Sequence, residues 1–165
     1  MNTPSLTRYL NGFRLSSCLL VLFCAGHSWG ALLSTPHFGP EADAVLSSMK
    51  SVHFVAQHAN DTWFGFYLGF GWLVSVFFLF SAVVTWHLGG LQSADERRAM
   101  AAIIWALFLS YAASSYLSWT YFFVAPGVFS TAVAAILGFE CLKMWPAHQA
   151  AITRERRLAS ERRAM

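Results

Sequence analysis

The stretch Trp63-Phe64-Gly65-Phe66-Tyr67-Leu68-Gly69-Phe70-Gly71-Trp72-Leu73-Val74-Ser75-Val76-Phe77-Phe78-Leu79-Phe80-Ser81-Ala82-Val83-Val84-Thr85-Trp86-His87-Leu88 contains no Asp, Glu, Lys or Arg. A bilayer core about 30 Å thick needs roughly 20 apolar residues at about 1.5 Å rise each, so this segment is long enough to cross it once. Two further stretches are as free of charge, Leu15–Pro40 and Ala99–Phe139. The first fits one span. The second is too long for one helix and carries Ala125-Pro126-Gly127, a turn signal, near its middle. The spacing therefore predicts four spans, at about Phe13–Leu33, Trp63–Leu88, Ala101–Val124 and Val128–Trp145.

Composition agrees: 56% of the 165 residues are hydrophobic and 12% charged, against about 25% charged in a soluble domain. The expected fold class is all-α, an integral membrane four-helix bundle. It forms one transmembrane domain over residues 1–149, followed by a basic and acidic tail at 150–165. Arg8, Arg14 and Leu15–Ala25 have the basic and apolar regions of a secretory signal. His27, Ser28 and Trp29 make a poor cleavage site, however, and the apolar run continues to Leu33.

Basic residues set the orientation. Of 11 Lys and Arg, only Lys50 falls in the first-to-second or third-to-fourth connection. The other basic residues lie on the N-terminal flank, the Gln92–Arg98 loop and the tail. Both termini are therefore expected in the cytoplasm.

Between the first two spans, Val45, Leu46, Met49, Val52, Val55 and Ala56 recur at helical spacing. This predicts a short external amphipathic helix within Glu41–Ala59. Ser93 with Glu96 three residues on reads as a capping box opening the third helix. In the tail, Glu155 and Glu161 interrupt the Arg residues, which argues against nucleic acid. A solvated helical extension or attraction to anionic lipid headgroups fits better.

The polar residues of the spans gather toward the external side. His27 lies roughly 9 Å below that interface. Asp61 marks the mouth of the second span, Tyr67 lies within it, and Tyr116 and Ser118 lie in the third. Lys50 and His53 on the external helix are placed to cover them. These seven are the candidate ligand-binding residues. Gly26-x-x-x-Gly30 and Gly65-x-x-x-Gly69 lie at matching depth and are expected to bring the first two helices together. The internal half is expected to be apolar down to a basic rim, with Glu140 pairing with Lys143 one turn on.

An intramembrane histidine is costly and faces a bundle interior or a cavity. His27 thus reads as a structural bridge, a proton-transfer or ligand-contact group, or an acid–base catalyst. Haem ligation by His27 and His87 would need equal depth, which they lack. No three or four side chains have the spacing of a zinc site. Cys18, Cys24 and Cys141 form no C-x-x-C pair and read as small apolar residues. No cofactor is indicated. Phe66, Tyr67, Phe70 and Trp72 could line a cavity for a lipid, an isoprenoid or a quinone. Three functions remain open: binding of a lipid-like or quinone-like molecule, alone or as an accessory subunit; a membrane enzyme acting on such a molecule; and a structural subunit of a larger complex or homo-oligomer.

Gly26-His27-Ser28-Trp29-Gly30, Met49-Lys50-Ser51-Val52-His53-Phe54 and the run from Trp63 to Gly71 resemble a family of small uncharacterised bacterial membrane proteins. The resemblance continues through Ser75–Phe80 to Trp86-His87-Leu88-Gly89 and covers about half the chain. More remotely, the architecture is similar to the DoxX-like four-helix proteins, which include a subunit of a quinone-reducing sulfur oxidoreductase. The resemblance implies four spans and a bacterial source, and so a place in the inner membrane. It carries no active-site motif and assigns no reaction.

Overall fold

In a computed structural model of the chain, residues 11–34 and 37–163 are described, with side chains as far as Met144. Arg8, Pro36 and the side chains of the tail lie outside them. Helix α1 spans Gly12–His27 and runs on as a π-helical segment, Ser28–Leu33. Helix α2 spans Pro40–Ser51, and strands β1 (His53–Ala56) and β2 (Ala59–Thr62) follow. Helix α3 is Trp63–Leu88, α4 is Ala94–Ala99, α5 is Ala101–Tyr121 and α6 is Val124–Arg163.

Four helical segments are long and apolar enough to cross a membrane: Gly12–Leu33, Trp63–Leu88, Ala101–Tyr121 and Val124–Met144. They make the chain compatible with a multi-pass membrane protein. Many of their residues are aromatic or β-branched and rank low in helix propensity. Hydrocarbon overrides that ranking, because only a helix or a closed barrel satisfies every backbone polar group there.

Three expectations need correction. Residues 52–59 do not continue the helix after Pro40. The chain turns instead into an antiparallel ribbon pairing His53 with Thr62 and Ala56 with Ala59. Val52, Phe54 and Val55 favour a pleated backbone, and the two-residue turn places both Gln57 (φ 49°) and His58 (φ 72°) left-handed, as primed hairpin turns require. The third span ends at Tyr121, and Ala125-Pro126-Gly127 lies inside the first turn of α6. Proline is tolerated there because the first amides of a helix have no intrahelical acceptor. The capping box at Ser93 and Glu96 forms as read, but it opens the short α4 rather than the long α5.

The chain forms two compact units, Val21–Phe80, and Met1–Leu20 with Ser81–Met165. Within the second, each long helix touches the next. Ser17 Oγ donates to the Ala82 carbonyl at 2.7 Å, joining α1 to α3. The Tyr111 phenol interacts with the Ser81 side chain, joining α3 to α5. Phe108 packs over Gly138, joining α5 to α6, and the Glu140 carboxylate rests against Gly12, joining α6 back to α1. The core so enclosed contains Phe13, Leu20, Leu88, Ile104, Tyr111, Val133, Leu137 and Cys141.

Candidate functional site

In the Val21–Phe80 unit, His27 Nε2 lies 3.1 Å from the carbonyl oxygen of Gly71. A carbonyl only accepts, so Nε2 carries the proton and Nδ1 is the remaining nitrogen. Ser28 Oγ meets Ser75 Oγ at 2.9 Å, and the Cys24 thiol is directed at the Ser75 carbonyl at 3.5 Å. Phe78 presents an edge contact to the imidazole and stacks on Phe23. This seam of α1 against α3 is polar, and its partners are mostly backbone carbonyls.

The π segment explains how the seam holds. Leu32 lies where a side chain on Gly71 would have to be. His27 and Leu32, five residues apart, thus both reach Gly71. In an α-helix such residues point about 140° apart at 3.6 residues per turn. The i→i+5 winding, closed by Ser34 N to the Trp29 carbonyl at 2.9 Å, brings them to one side. The paired glycine motifs do not make this contact. A side chain on Gly26, Gly30 or Gly69 would meet open space, and Gly65 faces Asp61. Gly71 alone among these helical glycines marks the close approach.

The remaining candidates in this unit are separately engaged. The Lys50 ammonium lies over the Phe64 ring, 4.9 Å from its centroid. His53 Nδ1 pairs with Asn60 Oδ1 at 3.2 Å across the hairpin. Asp61 Oδ1 accepts from Thr62 N, and Thr62 Oγ1 accepts from Gly65 N, so both residues serve the N-terminus of α3. Tyr67 is exposed and stacks on Phe64. Tyr116 and Ser118 belong to the other unit, where they differ sharply: Tyr116 is 72% exposed and Ser118 8%.

The expectation of an apolar internal half is overturned. In the unit containing Met1–Leu20 and Ser81–Met165, Ser16, Ser17, Ser81, Thr85, Tyr111 and Glu140 are all buried. They sit on the core-facing side of their helices, and Thr85 answers part of its need by bonding back to Ser81 and Ala82 carbonyls. The Ser81-x-x-x-Thr85 spacing was the available signal. Glu140 does pair with Lys143, at 2.8 Å, but its side chain is only 7% exposed against 51% for the lysine. The carboxylate lies at Gly12, the first residue of α1, where the positive end of the helix dipole favours it. Asn11 completes that end: its Oδ1 caps α1 by accepting from Arg14 N, and its Nδ2 donates to the Gly89 carbonyl beyond α3.

A groove of about 620 Å³ lies in this unit between α5 and α6. Ala112, Ala134, Ala135 and Gly138 form its small-residue floor, Trp105, Phe108, Phe139 and Leu142 flank one end, and Ser115 and Thr131 lie at the other. That hydroxyl end is closed on itself. Thr131 Oγ1 donates to the Gly127 carbonyl at 2.6 Å and accepts from Trp119 Nε1 at 2.9 Å and from Ser115 Oγ at 2.6 Å. All three donors are engaged, so none is left to recognise a polar headgroup. Sequence reasoning missed this groove because its floor residues differ little from any apolar helix face. Among the described residues, no group of three His, Cys, Asp or Glu could hold a metal ion. The chain matches no protein-family model, no curated protein and no solved structure.

Proposed function

We propose that this chain is a membrane-embedded assembly subunit whose α5–α6 groove receives a transmembrane helix. The groove carries the reading: it is apolar and floored by small residues, with its hydroxyls already satisfied. Between helices in lipid, association comes from close packing over such small residues rather than from a hydrophobic drive. In this reading, the contacts of Ser17–Ala82, Ser81–Tyr111, Phe108–Gly138 and Glu140–Gly12 close the four helices into a bundle. By sequence, ten of the eleven basic residues flank one end of the spans, at the start of α1, in the α3–α5 connection or on the C-terminal side of α6. That end is cytoplasmic by the positive-inside rule, in a bacterial inner membrane.

The second reading is a lipid-like or quinone-like ligand in the same groove, whose volume falls in the range of small-molecule sites. It is favoured less, because the Ser115–Thr131–Trp119 end has no free donor. An acid–base role for His27 has the least support, since Nε2 is held by Gly71.

A photo-crosslinking residue at Leu142, which lines the groove, distinguishes the first two. In intact membranes it should form protein adducts, whereas the same probe at Leu109, exposed on α5 outside the groove, should not. Adducts with lipid or quinone alone at Leu142 would overturn the assembly reading.

A further inference from the structure

Strands β1 and β2 have four residues each. A lone two-stranded hairpin is marginal in water and needs a helix or further strands to pack on. Here the helix is α3, which begins at Trp63, directly after the last residue of β2. Phe54 of β1 sets its ring 4.6 Å from that of Trp63 and 5.8 Å from that of Phe66. Phe66 in turn meets Phe70 at 4.8 Å. Trp63, Phe66 and Phe70 are all exposed, so Phe54 heads a row of rings running down an open side of α3. Lys50, near the end of α2, puts its ammonium over Phe64. Phe64 and Phe66, two residues apart, point about 200° apart around the helix. The start of α3 is thus held on two sides.

As a spanning helix, α3 fixes the depth of this cluster. Its 26 residues make roughly 39 Å at about 1.5 Å each, against a hydrocarbon core about 30 Å thick. The surplus of about 9 Å is taken up by tilt or lies beyond the hydrocarbon at the helix ends. Trp63 stands at one end and Trp86 near the other, and tryptophan settles where headgroups meet acyl chains. With Trp63 at that boundary, Phe54 is there too, because their rings are in contact. Lipid surrounds the exposed side of a spanning helix, so it reaches Phe54 along the Trp63-Phe66-Phe70 row. The ribbon's backbone sets the limit on depth. Its two outer edges leave amides and carbonyls unpaired, which hydrocarbon does not tolerate and hydrated headgroups satisfy. Lys50 suits the same level, with its stem among apolar groups and its charge free to turn to water or phosphate.

We propose that the β1–β2 hairpin is a membrane-interface anchor. Phe54 is seated at the boundary of headgroups and acyl chains, and the ribbon lies in the headgroup layer of a phospholipid bilayer. Val55, exposed and on the opposite face of β1 from Phe54, then points into that layer. The anchor lies apart from the α5–α6 groove, and it fixes how deep the start of α3 sits.

Fluorescence quenching of the full-length chain in phosphatidylcholine vesicles tests this. Cys18, Cys24 and Cys141 are first changed to alanine, and a small fluorophore is attached at Val55→Cys or, as a mid-span control, at the exposed Val76→Cys. At position 55, lipids carrying a nitroxide on the headgroup should quench several-fold more strongly than lipids carrying it near the chain end. The order should reverse at position 76. Iodide in the buffer should quench the label at 55 several-fold less than it quenches the free dye. Quenching by iodide equal to that of the free dye, with none from lipid, would put the hairpin in water and overturn the proposal. Shielding from iodide and from both lipids would mean that protein covers it, and would overturn it equally. A second measurement needs no substitution and stands even if the cysteine-free chain folds poorly. A phospholipid with a photoreactive group beside its headgroup should form adducts within residues 53–62 of the wild-type chain, and their absence would contradict the anchor.

Discussion

At the residue scale, two glycines and one histidine decide how the helices meet. The Gly71 carbonyl accepts from His27 while Leu32 fills the space over its α-carbon. Gly71→Ala should therefore destabilise by about 1 kcal/mol, the low end of the usual overpacking penalty, because the end of the half-buried Leu32 side chain must swing aside. Gly69→Ala, two residues away in open space, should be neutral or slightly stabilising, since alanine is the better helix former. Thermal unfolding of the two purified variants in the same detergent checks the contrast, and equal melting temperatures would contradict the contact. The residues themselves were only half legible. His27 stood out as an ionisable group in an apolar run, but its partner is a backbone carbonyl, which has no signature in sequence. Glu140 and Lys143 were readable as a pair from their spacing. The burial of the carboxylate was not, because it depends on Gly12 more than a hundred residues earlier.

At the scale of elements, α4 is the clearest case of local sequence dictating structure. Ser93 Oγ accepts from Glu96 N at 3.1 Å, and the Glu96 carboxylate accepts from Gln92 N at 2.7 Å and Ser93 N at 3.2 Å. These hydrogen bonds, chiefly that from the Ser93 backbone and then that from Gln92, hold the Glu96 carboxyl below its ordinary value of 4.5. Since the folded group binds its proton less readily than the unfolded one, its stabilising effect is fully present above pH 4.5. It is lost as pH falls through the lowered folded value. The protection factors of the first amides of α4, taken relative to the intrinsic exchange rate at each pH, should therefore fall in acid. Ser93→Ala should lower them at neutral pH, by the loss of an N-cap worth about 1 kcal/mol. Unchanged protection in that variant would argue against the cap.

The hairpin was illegible for a different reason. Its turn residues, Gln57 and His58, are not the Asn-Gly or Asp-Gly that usually announce left-handed turn positions. The apolar spacing before them also fitted a helix. The π segment left no mark in the sequence either, since it answers a packing demand at Gly71 that becomes visible only once α1 and α3 are together.

At the scale of the whole molecule, the four long apolar helices were legible from charge-free runs, because hydrocarbon imposes length and polarity on any spanning segment. The groove was not, because it is created by the α5–α6 pairing and its floor consists of ordinary alanines and a glycine. The central claim is that this groove receives a helix. The mass of the complex released from native membranes, measured by native mass spectrometry for the wild-type chain and for Ala135→Phe, tests it most directly. Position 135 faces the groove and is exposed, so the added ring should fill the groove without disturbing the core. The prediction is a multi-subunit mass for the wild type, reduced to the folded monomer in the variant. A wild-type protein that leaves the membrane as a monomer, or an assembly unchanged by Ala135→Phe, would contradict the account.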